Sequence, residues 1–83
     1  MNYNTKEDIV NGFKNMNKIP VIEIFDEGRQ EYICYWIRLS FDEKSFEVNG
    51  ADNLIILEID DCFSLDEHLQ TLYEMIIESE QLY

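Results

Sequence analysis

Between residues 21 and 61 the chain is a series of short, strongly apolar runs broken by turn-forming residues, strand after strand, and that pattern points to a sheet built from consecutive hairpins. Residues 21–26 and 31–39 flank Glu27-Gly28-Arg29-Gln30, where Gly28 is expected to take the positive φ that opens a type II′ turn. A two-residue loop at Gly28 and Arg29 sets the register. Ile22 falls opposite Tyr35 and Ile24 opposite Ile33 on one face; Val21 meets Trp36, Glu23 meets Cys34 and Phe25 meets Tyr32 on the other. Both faces are therefore apolar. Asp42-Glu43-Lys44 marks the next turn, a short strand follows through Phe46 and Val48, Asn49-Gly50 opens a loop, and residues 54–60 form the last strand. Ile55, Leu57 and Ile59 extend one apolar face of that strand, while Leu54, Ile56, Glu58 and Asp60 pass from apolar to acidic along the other.

Helices bracket the strands. Residues 5–16 carry Thr5 and Asp8 as a capping box and Ile9, Val10, Phe13 and Met16 on one stripe, and Pro20 returns the chain to an extended path. Ser64 and Glu67 form a second capping box with acids in the first turn, where the helix dipole favours them. The helix that follows is expected to bury Leu65, Leu69, Leu72, Tyr73 and Ile76, with Ile77 at the edge and Glu67, Thr71, Glu74 and Glu78 facing outward. The order is α-β-β-β-β-α, an α+β fold with a four-stranded antiparallel meander and two flanking helices. Eighty-three residues make one domain, 1–83, with a radius of gyration of roughly 12 Å. One helix on each face is the first expectation, the N-terminal helix lying over Val21, Phe25, Tyr32, Cys34 and Trp36. The alternative places both helices on one face and leaves these aromatics as an interface rimmed by Glu23, Glu47 and Glu58.

Charge narrows the partners. Eighteen Asp and Glu against six Lys and Arg give a net charge of −12, and the six cations, Lys6, Lys14, Lys18, Arg29, Arg38 and Lys44, form no patch. Nucleic acids and anionic membranes are thereby disfavoured as direct partners, and a basic protein is the natural complement. Evenly spread, eighteen acids would place only about three in a standard contact patch of roughly 800 Å². Imitating the phosphates of a duplex requires clustering. Glu58, Asp60, Asp61, Asp66 and Glu67, continued by Glu74 and Glu78, supply the densest group.

The remaining chemistry is sparse. Cys34 and Cys62 are expected to be buried thiols, and the single histidine, His68, a residue on the flank of its helix. Asp60, Asp61, Cys62 and His68 lack the spacing of a zinc site, no segment has the glycine and ligand pattern of a calcium loop, and no glycine-rich phosphate loop exists. Neither catalysis nor a cofactor or metal is expected. The first residues lack the apolar core of a signal peptide and no apolar run spans a bilayer, so a cytoplasmic location is expected.

These features point to a small acidic inhibitor or antagonist that binds the basic, nucleic-acid-handling surface of another protein, with carboxylates in place of phosphates. Small acidic anti-defence proteins, nuclease-immunity proteins and DNA mimics share this size and charge, an analogy that transfers no residue. The second expectation is a self-associating accessory domain, a homodimer built through the aromatic sheet face. Repulsion among the carboxylates makes a physical prediction of its own. The thermal unfolding midpoint, followed by circular dichroism, is expected to rise as sodium chloride goes from about 10 mM to about 150 mM, where the screening length shrinks from roughly 30 to 8 Å. A midpoint that stays fixed or falls would mean that charge repulsion does not limit stability.

Overall fold

A computed structural model describes residues 5–49 and 54–81 of the chain. The elements are α1 (Lys6–Lys14), β1 (Val21–Asp26), β2 (Glu31–Leu39), β3 (Ser45–Asn49), β4 (Leu54–Glu58) and α2 (Leu65–Gln81). The four strands form one antiparallel sheet in the order β1-β2-β3-β4, the α+β meander that the alternation implies. Thr5 caps α1 with both arms of the box in place, its hydroxyl accepting from the Asp8 amide while the Asp8 carboxylate accepts from the Thr5 amide. The α1 helix stops at Lys14, two residues short of the predicted end, so Met16 lies beyond it and is exposed.

The first hairpin keeps the predicted register, from Val21 opposite Trp36 to Asp26 opposite Glu31, but reaches it by a different turn. Four residues, 27–30, make the connection. The Asp26 carboxylate accepts the amides of Gly28 and Arg29, and Gln30, at φ 56°, takes the left-handed conformation instead of Gly28. An aspartate side chain that satisfies two loop amides removes the need for the glycine-dependent turn. A comparable device closes the next connection, where the Ser40 hydroxyl donates to Asp42 and accepts the amides of Lys44 and Ser45, with Glu43 at φ 60°. The Gly50 side of the following loop lies outside the described residues.

Both helices pack on the same face of the sheet, which corrects the expectation of one helix on each side. Phe13 of α1 lies with its ring centre 5.2 Å from that of Phe46 on β3, and Gly12 passes so close to α2 that a Cβ there would sit 3.4 Å from Leu65 Cδ2. The core between the layers contains Ile9, Val10, Ile22, Tyr35, Ile37, Phe46, Val48, Ile55, Ile59, Leu72 and Ile76. Its centre is Phe46, fully enclosed along with Val48, Leu72 and Ile76. The buried stripe of α2 is Leu65, His68, Leu69, Leu72 and Ile76, the i, i+3, i+4, i+7 pattern of a helix lying on a sheet. Tyr73 falls outside it and is exposed, whereas His68, expected on the flank, is only 3% exposed.

The sheet is not a rectangle. Residues 31–36 of β2 pair with β1, while only Ile37, Arg38 and Leu39 pair with β3. The first hairpin therefore overhangs the rest of the sheet, in keeping with an envelope of 44 × 25 × 24 Å and a radius of gyration of 13.5 Å, longer than a sphere of this chain length would give.

The position of Phe46 leads to a direct test. A domain of this size has roughly 4–12 kcal/mol of stability in total. Phe46→Ala is expected to cost about 3–5 kcal/mol through lost burial and an unfilled cavity, a large share of that total. Trp36→Ser, on the uncovered face, is expected to cost less than about 1 kcal/mol. Urea titrations of the two variants check the contrast, and similar losses would refute the placement of the core.

Candidate protein-binding surface

With both helices on one side, no described element covers the opposite face of the sheet. The register places Val21, Glu23 and Phe25 of β1, Tyr32, Cys34, Trp36 and Arg38 of β2, Ser45, Glu47 and Asn49 of β3, and Leu54, Ile56 and Glu58 of β4 on this face. Trp36 is 59% exposed and Tyr32 67%, and Phe25, Leu54 and Ile56 are also among the exposed large apolar residues. Phe25 and Tyr32 meet edge to face across the hairpin, with centroids 5.1 Å apart. Such contacts hold aromatic rings in place without hiding them from solvent.

The polar residues of the face are mostly acids. Arg38 is the only cation on it among the described residues, and its Nε donates to Glu47 Oε1 at 3.2 Å. Glu47 lies between Arg38 and the exposed Ile56, its neighbours on the two adjoining strands. Glu23 lies among the aromatics on β1 and Glu58 beside Ile56 on β4, and among the described residues neither forms an ion pair. The sheet-face residues Glu23, Tyr32, Trp36 and Glu47 thus share one surface. Cys34, expected to be buried, is exposed on it, because the helix that would have covered it lies on the other side.

The acidic cluster is assembled at the junction of β4 and α2. Glu58, Asp60 and Glu67 line a groove of about 210 Å³ whose remaining walls are Leu57, Phe63, His68 and Thr71. His68 holds this junction together. Its Nδ1 lies 2.7 Å from the Ser64 carbonyl, to which it donates, and its Nε2 accepts the Asp60 amide at 3.0 Å, which calls for the neutral Nδ1–H ring. The ring also packs edge on against Phe46 and Phe63. The i, i+3, i+4 spacing of Leu65, His68 and Leu69 is the sequence signal for this burial.

Two of the acids already have local tasks. Glu67 accepts the Ser64 amide at 2.9 Å while Ser64 Oγ accepts the Glu67 amide, completing the capping box, and the bond from the Ser64 amide, with a further one from the Ser64 hydroxyl, holds the Glu67 carboxyl below its ordinary value. Asp60 accepts the Cys62 amide at 2.9 Å, and that bond, with a further one from the Cys62 thiol, lowers its carboxyl too. The same contact raises the Cys62 thiol, since losing its proton would put a thiolate beside Asp60. Exposed Cys62 is accordingly the opposite of an activated nucleophile.

Asp61 and Asp66 are exposed around the junction, and Glu74 and Glu78 continue along the outer side of α2. At 1.5 Å per residue, the stripe from Glu67 to Glu78 runs about 16 Å. Asp60, Asp61 and Cys62 bring two carboxylates and a thiol within 4.8 Å of one another, all exposed. His68 has both nitrogens engaged and does not join them.

No helix among the described residues is long and apolar enough to cross a membrane. The structure thus defines an open-faced α+β domain, two helices on one side and an aromatic, acid-bordered sheet on the other. No family model matches the chain, and neither curated proteins nor solved structures give a match.

The hydrogen bonds at Glu67, Asp60 and Asp42 imply an acid limit to stability. All three carboxyls are lowered in the folded chain, Asp42 chiefly by the Ser40 hydroxyl and then by the Lys44 amide. Their contribution is present above the unfolded carboxyl range near about pH 4. It is lost as pH falls through the lower folded values, since the unfolded chain then binds protons first. Below about pH 4 the thermal midpoint is expected to fall, and to fall less in Glu67→Gln than in the wild type, so that the gap between the two narrows from about pH 6 to about pH 3. An identical pH dependence for both would show that the cap does not depend on the ionised carboxylate.

Proposed function

We propose that this domain is a small acidic binding protein that occupies a basic surface of another protein, with the open sheet face as its contact area. The observation that carries the reading is the exposed set Phe25, Tyr32, Trp36, Leu54 and Ile56, bordered by Glu23, Glu47 and Glu58 on a chain of net charge −12. An uncovered apolar sheet face on a small domain is costly to keep in water unless something covers it. Rigid aromatic side chains at the centre supply contact area, and charged residues around them select the sign of the partner.

The partner class that this chemistry fits best is a protein whose lysines and arginines otherwise hold a nucleic acid. Glu58, Asp60 and Asp61 at the β4 edge would take the positions of phosphates while the sheet anchors the contact; Asp66, Glu67, Glu74 and Glu78 lie on the helix side and would join only where the partner wraps round that edge. Inhibition would then be steric and electrostatic, with no bond made or broken. A homodimer through the same face is the second reading, favoured by the exposure of Trp36, Leu54 and Ile56 and opposed by bringing two charges of −12 together.

The decisive experiment compares wild type, Trp36→Glu and the double variant Asp61→Lys, Asp66→Lys as immobilised baits at low and high salt. It then asks whether the retained protein still binds its nucleic acid. The wild type is expected to hold one basic nucleic-acid-handling protein at low salt and to block its nucleic-acid binding in proportion to dose. Trp36→Glu is expected to abolish retention, and the lysine variant to weaken it at least about tenfold. Retention unaffected by Trp36→Glu would remove the sheet face from the function. A wild-type solution mass of a dimer that Trp36→Glu reduces to a monomer would establish the second reading.

A further inference from the structure

The outer edge of β4 adds a feature that the open face alone does not have. Ile59 donates to the Lys44 carbonyl at 2.9 Å, which fixes the alternation along the β3–β4 ladder. Ile55 and Leu57 turn their main-chain groups toward β3, and Leu54, Ile56 and Glu58 turn theirs outward. Among the described residues no strand pairs with that side. Edge strands in small domains are usually blunted by proline, lysine or a bulge. The five-residue β4 segment Leu-Ile-Ile-Leu-Glu has none of these, and its one charge is Glu58 at its end.

The groove between β4 and α2 opens directly beside this edge. A strand added antiparallel to β4 would form hydrogen-bonded pairs at Ile56 and Glu58, with its side chains there on the open face. The residue opposite Leu57 would stand in a closer, non-hydrogen-bonded pair about 4.5 Å away, with its side chain on the helix side, over the groove. Leu57 and Phe63 offer that side chain an apolar wall, and Glu58, Asp60 and Glu67 surround the exit. A long aliphatic stem ending in a cation fits such a site, stem on the wall and head among the carboxylates.

We propose that β4 is a strand-addition site for an extended segment of a basic protein, with a lysine or arginine side chain opposite Leu57 entering the β4–α2 groove and apolar side chains on either side of it covering Ile56 on the open face. Main-chain pairing supplies affinity and the groove supplies selectivity for the cation. A second copy of this chain is disfavoured as the occupant, because it brings its own charge of −12 to a site bordered by acids. The proposal rests on the basic-partner reading but names a different contact from the aromatic centre at Trp36.

The probe is a capped heptapeptide alternating valine and lysine, compared with its valine–glutamate counterpart, added to the labelled full chain and followed by amide hydrogen exchange and chemical shift. The lysine peptide is expected to protect the amides of Ile56 and Glu58, which point outward, while that of Leu57, already paired to β3, changes little. Ile56→Pro removes an outward donor at an edge position that tolerates proline, and is expected to weaken binding at least about tenfold with the circular dichroism spectrum retained. Thr71→Arg, an exposed helical position that places a cation in the groove, is expected to do the same without touching the strand. Protection at Ile56 and Glu58 with loss in both variants supports the site. No binding of the lysine peptide, equal binding of the glutamate peptide, or binding unchanged in both variants overturns it. If partner retention depends on Trp36 while exchange at Ile56 and Glu58 stays unaltered, the sheet-face reading stands and strand addition at β4 falls.

Discussion

Everything distinctive about this domain depends on the enclosure of Phe46. Its ring projects from β3 into the core, covered from one side by Phe13 of α1 and packed edge on against His68 of α2, and it has no exposed surface. To bury that ring, both helices must meet over the same strands. A nine-residue and a 17-residue helix, about 13 and 25 Å long, then have no second layer to offer the other face. The open sheet is the geometric consequence of closing a core with so little helix. In a chain that buries only about 60% of its unfolded surface, one well-filled interface stabilises more than two thin ones.

The second constraint is charge. With eighteen acids against six bases, few carboxylates find a cation: among the described residues Glu43 pairs with Lys14, Asp26 with Arg29 and Glu47 with Arg38. Others are satisfied by the backbone instead. Asp26 gathers two amides of the first hairpin loop, Asp60 that of Cys62, and Glu67 that of Ser64. The same side chains that give the domain its negative field therefore shape its turns and caps. The field and the fold are linked through these hydrogen bonds, whereas Asp61 and Asp66 are exposed around the junction.

Much of this was legible in the residues. The hairpin register followed from two-sided apolar alternation around a fixed pair count, and it survived although the turn did not: an aspartate caps the loop where a glycine was expected to bend it. The capping boxes at Thr5 and Ser64 were readable because each needs only residues three apart. His68 was less visible. Its place in the Leu65, Leu69, Leu72 stripe was present in the spacing, but its burial depends on the loop from Asp60 to Ser64 folding back to bond both ring nitrogens.

The sequence by itself determined which residues share a strand face, which segments are helices, and that the chain carries a strong negative charge, because periodicity and net charge are local or additive quantities. Only the tertiary structure decided that α1 and α2 lie together, that Cys34 and Trp36 are exposed, and that Glu58, Asp60 and Glu67 surround one groove. Two apolar sheet faces are equivalent in a one-dimensional pattern. The choice between them is made by packing, where Phe13, Phe46 and His68 interlock on one side.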